Sequence, residues 1–234
     1  MFVAGAGGAI GSILCRLLLQ DGWHVSGTTR SAQRAADLRS IGVLPVIVDV
    51  FDRQALIAAV VRAQPQVVVH QLTDLPKTFS ADAMPAARAR NARIREIGTD
   101  NLVAAALQAG ARRMVAQSIA FAYAEGTKPY LEDAPLDQAP GAAVAKLEAL
   151  VLGSPSLYGI VLRYGRLYGP RTWSEAPSGE APVHVDAAAD AARRAVTLGA
   201  AGIYNVAEED GTVSSAKARR ELGWNPQFRA AFHA

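Results

Sequence analysis

Apolar runs bounded by turn residues alternate along this chain with segments whose apolar positions recur every three or four residues. Runs of the first kind predict strands at 2–4, 23–27, 44–48, 66–70, 112–117, 158–163 and 202–206. Segments of the second kind predict helices at 9–20, 31–41, 52–63, 83–109, 141–152, 186–198 and 213–222. Gly22, Gly42, Gly110, Gly153 and Gly199 fall at or just past helix ends, where a glycine closes the last turn cheaply. Val46–Val48 and Val67–Val69 show no polar alternation, which predicts strands buried on both faces. The fold class is therefore α/β, a doubly wound parallel sheet with crossover helices.

Two stretches break the rhythm. Residues 124–141 carry Gly126, Pro129 and Pro135 with the acids Glu125, Glu132, Asp133 and Asp137. Residues 169–182 carry Gly169, Pro170, Pro177, Gly179 and Pro182. Both read as loops on the side where open α/β sheets take ligands. The chain reads as one domain, 1–234, with a small C-terminal substrate lobe built mainly from 124–141, 169–182 and 205–234.

Composition narrows the classes. Half of the 234 residues are apolar and 19% are charged, an ordinary globular balance. The net charge is +3, but the arginines are scattered among acids and aromatics make up only 6%, so no nucleic-acid partner is expected. The one cysteine, Cys15, cannot form an internal disulfide and reads as a core residue, which fits a cytoplasmic protein. No apolar run reaches the roughly 18–20 residues of a membrane span. The absence of a charged side chain before Arg16 does not resemble a secretory signal. No His/Cys cluster has metal-ligand spacing.

The candidate chemistry begins at the first turn. A three-residue apolar strand, Phe2 to Ala4, runs into glycines at 5, 8 and 11 and then into a helical pattern. Gly5 lets the chain turn sharply, Gly8 leaves room for a pyrophosphate, and Gly11 lets the helix pack close to the sheet. The amides at Ala9 and Ile10 then face the phosphates with the positive end of the helix dipole. The second strand ends Gly27-Thr-Thr-Arg30-Ser31, with Thr29 where an NAD site places an acid. Arg30 supplies a charged fork for a ribose 2′-phosphate and Ser31 a hydroxyl, so NADP is expected over NAD.

These segments resemble the extended short-chain dehydrogenase/reductase superfamily, in its epimerase/dehydratase branch. Ala4-Gly-Ala-Gly-Gly-Ala-Ile-Gly11 is similar to that family's glycine-rich opening, with Ala4 in place of Thr. Val48-Asp49-Val50-Phe51-Asp52 resembles its adenine-side strand end, and Val67-Val-Val-His70 its fourth strand, followed here by Gln71 and Leu72. Leu162-Arg-Tyr-Gly-Arg-Leu-Tyr-Gly-Pro170 resembles its sixth-strand signature; His184-Val-Asp186, Gly202–Asn205 and Leu222–Pro226 follow in order. The resemblance implies a Rossmann fold and a cofactor site of Gly5, Gly8, Ala9, Ile10, Gly11, Arg30, Ser31, Asp49, Val50, Gln71, Leu72 and Tyr164.

The departures fall on the catalytic residues. The family's tyrosine, four before its lysine, would stand at Ala142; its Ser/Thr would stand at Ile119, and its asparagine at Arg95. The remaining catalytic candidates are Ser118, Tyr123 as a substitute proton donor, and Lys146 beside the nicotinamide ribose. Tyr164 and Tyr168 shape the nicotinamide pocket, and His70 reads as a hydrogen-bonded core histidine. Asp186 reads as the cap of the helix that follows it. Arg88, Arg90, Arg93 and Arg95 read either as receivers of an acidic substrate or as a solvated helix face. The resemblance also implies a homodimer through helices 83–109 and 141–152, with Ala104, Ala105, Leu107, Val144, Leu147, Leu150 and Val151 as small apolar contact faces.

Three functions follow. The first is an NADP-dependent reductase of a small or sugar-derived carbonyl compound. The second is a nucleotide-sugar epimerase or dehydratase. The third is a non-catalytic NADP-binding sensor or scaffold, favoured by Ala142.

Overall fold

The computed structural model describes residues 1–76 and 78–233, and the side chains of Ala139, Pro140 and His233 lie outside that description. Its strands are β1 (Phe2–Ala4), β2 (Ser26–Thr29), β3 (Leu44–Ile47), β4 (Val67–His70), β5 (Arg113–Ile119), β6 (Tyr158–Tyr164), β7 (Arg166–Tyr168), β8 (Pro182–His184) and β9 (Gly202–Val206). All but β7 and β8 form one parallel sheet in the order β3-β2-β1-β4-β5-β6-β9, while β7 and β8 pair with each other. The helices are α1 (Ala9–Gln20), α2 (Ala32–Ser40), α3 (Arg53–Ala63), α4 (Met84–Arg93), α5 (Thr99–Gln108), α6 (Gln138–Leu152), α7 (Val185–Ala195) and α8 (Ala216–Leu222). A π-helical turn, Ile94–Gly98, joins α4 to α5.

Period-two alternation divides the central strands between two cores. Val3, Val69, Val115, Ile160 and Leu162 face a layer holding Leu14, Leu18, Leu38 and the alanines of α7. Their neighbours Phe2, Ala4, Val68, Met114 and Val161 face Leu56, Val60, Leu102, Leu147 and Val151 of α3, α5 and α6. Both faces are covered, so these strands read as continuous apolar runs. Because α7 packs on α1, the β6–α7–β9 crossover lies on the opposite face from α5 and α6. It thus has the opposite hand to the β4–α5–β5 crossover, against the usual rule.

Several expectations need correction. β3 is an edge strand with Leu44 66% and Ile47 59% exposed, so the Val46–Val48 run is not buried on both faces. β2 starts at Ser26 rather than 23, because Trp23 N–H donates to Leu18 O (3.0 Å) and so belongs to the exit of α1. Asp186 does not cap α7. His184 Nδ1 accepts the Asp186 N–H at 3.2 Å, and the Asp186 carboxylate accepts the Ala230 N–H at 3.0 Å. The expected dimer faces are largely internal: Ala105, Val144, Leu147 and Val151 are buried within the chain, whereas Leu107 is exposed.

Beyond the sheet, Ala120, Ala181, Ala207 and Val213 form a small third core with Tyr123 and Tyr130. It joins the segment after β5 to β8 and to the turn after β9, through bridges Tyr123–Leu136 and Tyr130–Val213. Among the described residues no helix is long and apolar enough to cross a membrane.

Candidate active site

The glycine turn is built around backbone contacts that leave no room for side chains. Gly5 has φ +90°, and a Cβ there would come within 2.6 Å of the Gln71 carbonyl oxygen. A Cβ on Gly11 would collide with the Gly5 carbonyl. Gly5 N–H donates to Thr28 Oγ1 at 3.0 Å, which fixes the turn against β2. Gly8, in extended backbone, precedes α1 with no side-chain cap, so the first amides of α1 have no partner within the helix. Such an end attracts anions.

A cleft opens beside this turn, lined by Gly5, Gly7, Gly8, Thr28–Arg30, Arg34, Val48–Phe51, Gln71–Thr73 and Ile94. The sequence-derived cofactor residues Gly5, Gly8, Arg30, Asp49, Val50, Gln71 and Leu72 all lie on it. Asp49 Oδ1 accepts the Phe51 N–H at 3.0 Å, and the Val50 carbonyl accepts Asn101 Nδ2 at 2.9 Å. Ser31 caps α2, its Oγ accepting the Arg34 N–H at 3.3 Å. Arg30 is exposed and stands 3.7 Å from Asp74, while Arg34 also lines the cleft. Gln71 Nε2 donates to the Tyr164 hydroxyl at 3.4 Å, and its Oε1 is buried with no partner. Burial raises the pKa of the Tyr164 phenol.

The catalytic candidates do not converge. Ser118 Oγ donates to Glu148 Oε1 at 2.9 Å, and the same carboxylate accepts Arg163 Nε and Nη2 at 2.8 and 2.7 Å. Arg163 Nη1 donates to the Tyr123 hydroxyl (2.8 Å), which donates to Asn205 Oδ1 (2.6 Å). Burial raises the pKa of Tyr123, with Arg163 and Asn205 opposing it. Burial would lower that of Arg163, but Glu148 and Tyr123 outweigh it and raise it. The protons of Ser118 and Tyr123 are directed to Glu148 and Asn205 within this network rather than into the cleft. Lys146 is exposed with no hydrogen-bond partner among the described residues, one turn beyond exposed Ala142.

His70 is buried as expected, with Nε2 3.1 Å from Thr99 Oγ1 and Nδ1 accepting the Leu72 N–H at 3.2 Å. The arginine run divides. Arg88 is exposed, Arg90 stands 3.5 Å from Asp74, and Arg93 lies 4.0 Å over the Phe51 ring. Arg95, on the π turn, is half-buried.

The loop after β7 reaches back to the glycine turn. Arg171 Nη1 donates to Ser12 Oγ at 2.6 Å and Nη2 to the Gly7 carbonyl at 3.0 Å. Trp173 Nε1 donates to the Pro76 carbonyl at 2.8 Å and its ring meets Phe79 edge-on. Sequence reasoning missed Glu148, Arg34 and Arg171. None stands at a motif position, although a glutamate on the apolar face of 141–152 was a legible sign of a buried partner.

Comparison with known proteins agrees with this geometry. The chain is 44% identical, over 90% of its length and 76% of the relative's, to a 3-diazoavenalumate denitrifying reductase of a Streptomyces species. It is 30% identical to a 2-alkyl-3-oxoalkanoate reductase of Stenotrophomonas maltophilia (strain K279a), over 73% of this chain and about half (51%) of that one. The UDP-glucose 4-epimerase of Thermus thermophilus, solved in complex with NAD, shares the fold at TM-score 0.80 and 22% identity, over 98% of this chain and 94% of that one. Residues 1–221 match one family throughout, and the protein belongs to the NAD dependent epimerase/dehydratase family as an oxidoreductase of the short-chain dehydrogenase/reductase type.

Proposed function

We propose that the protein is an NADPH-dependent reductase whose acceptor takes up hydride without a proton from a protein tyrosine. The observation that carries this reading is Ala142, an exposed methyl at the position of the family's acid, while Ser118 and Tyr123 give their protons to Glu148 and Asn205. A dinucleotide fits the cleft: the glycine turn admits phosphates at closest approach, and the orphaned Gln71 Oε1 offers an acceptor at the nicotinamide end. Asp49 and Val50 would flank the adenine, and Arg30 with Arg34 would receive the ribose 2′-phosphate that NAD lacks. Bound there, the nicotinamide supplies a hydride.

A diazo acceptor, as in the name of the Streptomyces relative, suits a site without that acid. Hydride forms a C–H bond at the carbon bearing the diazonium group, the C–N bond breaks, and its electron pair leaves with dinitrogen. The charges balance with no proton. A ketone acceptor would instead leave an alkoxide to be protonated by water. A cytoplasmic location fits the single buried Cys15. A homodimer would use the apolar positions still exposed near α5, Ile97 and Leu107.

The test follows NADPH oxidation with a hydroxyaryl diazonium salt and with a panel of ketones. Deuterium from 4-deuterated NADPH should appear at the carbon that lost nitrogen. Faster turnover of the ketones, or tighter binding of NADH than NADPH, would overturn the proposal. No oxidation with any acceptor would point to the sensor reading.

A further inference from the structure

We infer that Arg95 is the receiver of a carboxylate on the substrate, so that the reductase proposed above acts on an organic acid anion. Its position sets up this role. Arg95 stands at the start of the π turn Ile94–Gly98, the segment that packs on α6, the helix of Ala142 and Lys146. There it is half-buried, whereas Arg88, two turns earlier, is exposed. Wide turns of this kind concentrate at functional sites.

Its surroundings leave it uncompensated. Ile94, the preceding residue, lines the cleft. Glu148 and His70 are the ionisable groups that sense Arg95. Neither neutralises it, because Glu148 is already bound by Arg163 and Ser118 and buried His70 is bonded to Thr99 and the Leu72 amide. Among the described residues Arg95 has no ion pair or hydrogen bond, unlike Arg90 and Arg93 of the same run, which have Asp74 and Phe51.

A guanidinium taken partly out of water is costly unless paired. Its five donors in a flat fork match a carboxylate in two parallel bonds. Among the described residues the protein supplies no such group to Arg95. An anion bound to Arg95 would lie beside α6, the helix that carries Ala142.

This inference rests on the reductase reading, but binding tests it without turnover. The NADP-saturated full chain is titrated with cinnamate, cinnamamide and inorganic phosphate by calorimetry. Wild type should bind cinnamate at least tenfold more tightly than cinnamamide. Arg95→Gln should abolish that preference, and Arg95→Lys should restore part of it, with NADP affinity unchanged in both and melting temperature no lower in Arg95→Gln. Equal binding of acid and amide, no saturable binding of cinnamate by wild type, an unaltered preference in Arg95→Gln, or Arg95-dependent binding of phosphate alone would overturn it. If cinnamate binds as expected while no acceptor oxidises NADPH, Arg95 keeps its role and the reductase reading fails.

Discussion

Arg163 holds Glu148 by two parallel hydrogen bonds, with 3% and 6% of the respective side chains exposed. The pair links β6 to α6, and Ser118 and Tyr123 extend it to β5 and β9. A buried pair of this kind stabilises little over an apolar substitute, but half of it is severely destabilising. Glu148→Leu or Arg163→Met alone should cost about 3–5 kcal/mol in urea unfolding. The double variant should cost clearly less than the sum, and strict additivity would show that the charges act independently.

Arg30 offers its guanidinium to the cleft with only a distant tie to Asp74. Arg30→Ala should weaken NADPH by roughly 1.5–3 kcal/mol, the range for charged hydrogen bonds, and leave NADH unchanged. Fluorescence titration with both cofactors checks this. Equal losses for the two would place Arg30 away from the 2′-phosphate.

Because its one proton bonds to Asn205, Tyr123 is expected to act as a strut rather than an acid. Tyr123→Phe should lower stability by about 1–2 kcal/mol and keep turnover within threefold on any verified substrate. A hundredfold fall in turnover at unchanged stability would make it the proton donor after all.

Burial, aided by the charge of Arg95, holds the His70 imidazole down to about 4, against 6.5 ordinarily. It is neutral in the folded chain at pH 7. Between pH 6.5 and 4 the unfolded chain takes up a proton that the folded one refuses. Stability is therefore full above 6.5 and falls by up to about 1.4 kcal/mol per pH unit down to 4. Urea unfolding at pH 7, 5.5 and 4.5, with the His70 ring followed by NMR, measures it; a ring titrating near 6.5 would contradict the structure.

The central sheet was legible because β1, β4, β5 and β6 announce two-sided burial in their composition. β3 was not: Val46–Val48 looks as apolar as Val67–Val69, and only pairing reveals which strand has a neighbour missing. The glycine turn was legible because backbone crowding there restricts residue type at fixed spacing, whereas Asp49, Gln71 and Leu72 came from the resemblance alone. The network around Ser118 and Tyr123 was not legible, because sequence displays a hydroxyl but not the acceptor that takes its proton. Arg95 stayed ambiguous because helical spacing cannot reveal which turn of the helix packs on α6.

Arg171 and Trp173 give the loop after β7 a dynamic consequence. One end is tied to Gly7 and Ser12 at the glycine turn, the other to Pro76 and Phe79 beyond β4. Freeing the loop therefore means breaking both ties, one to the glycine turn and one to the segment beyond β4, and its motion is coupled to those two segments rather than independent of them.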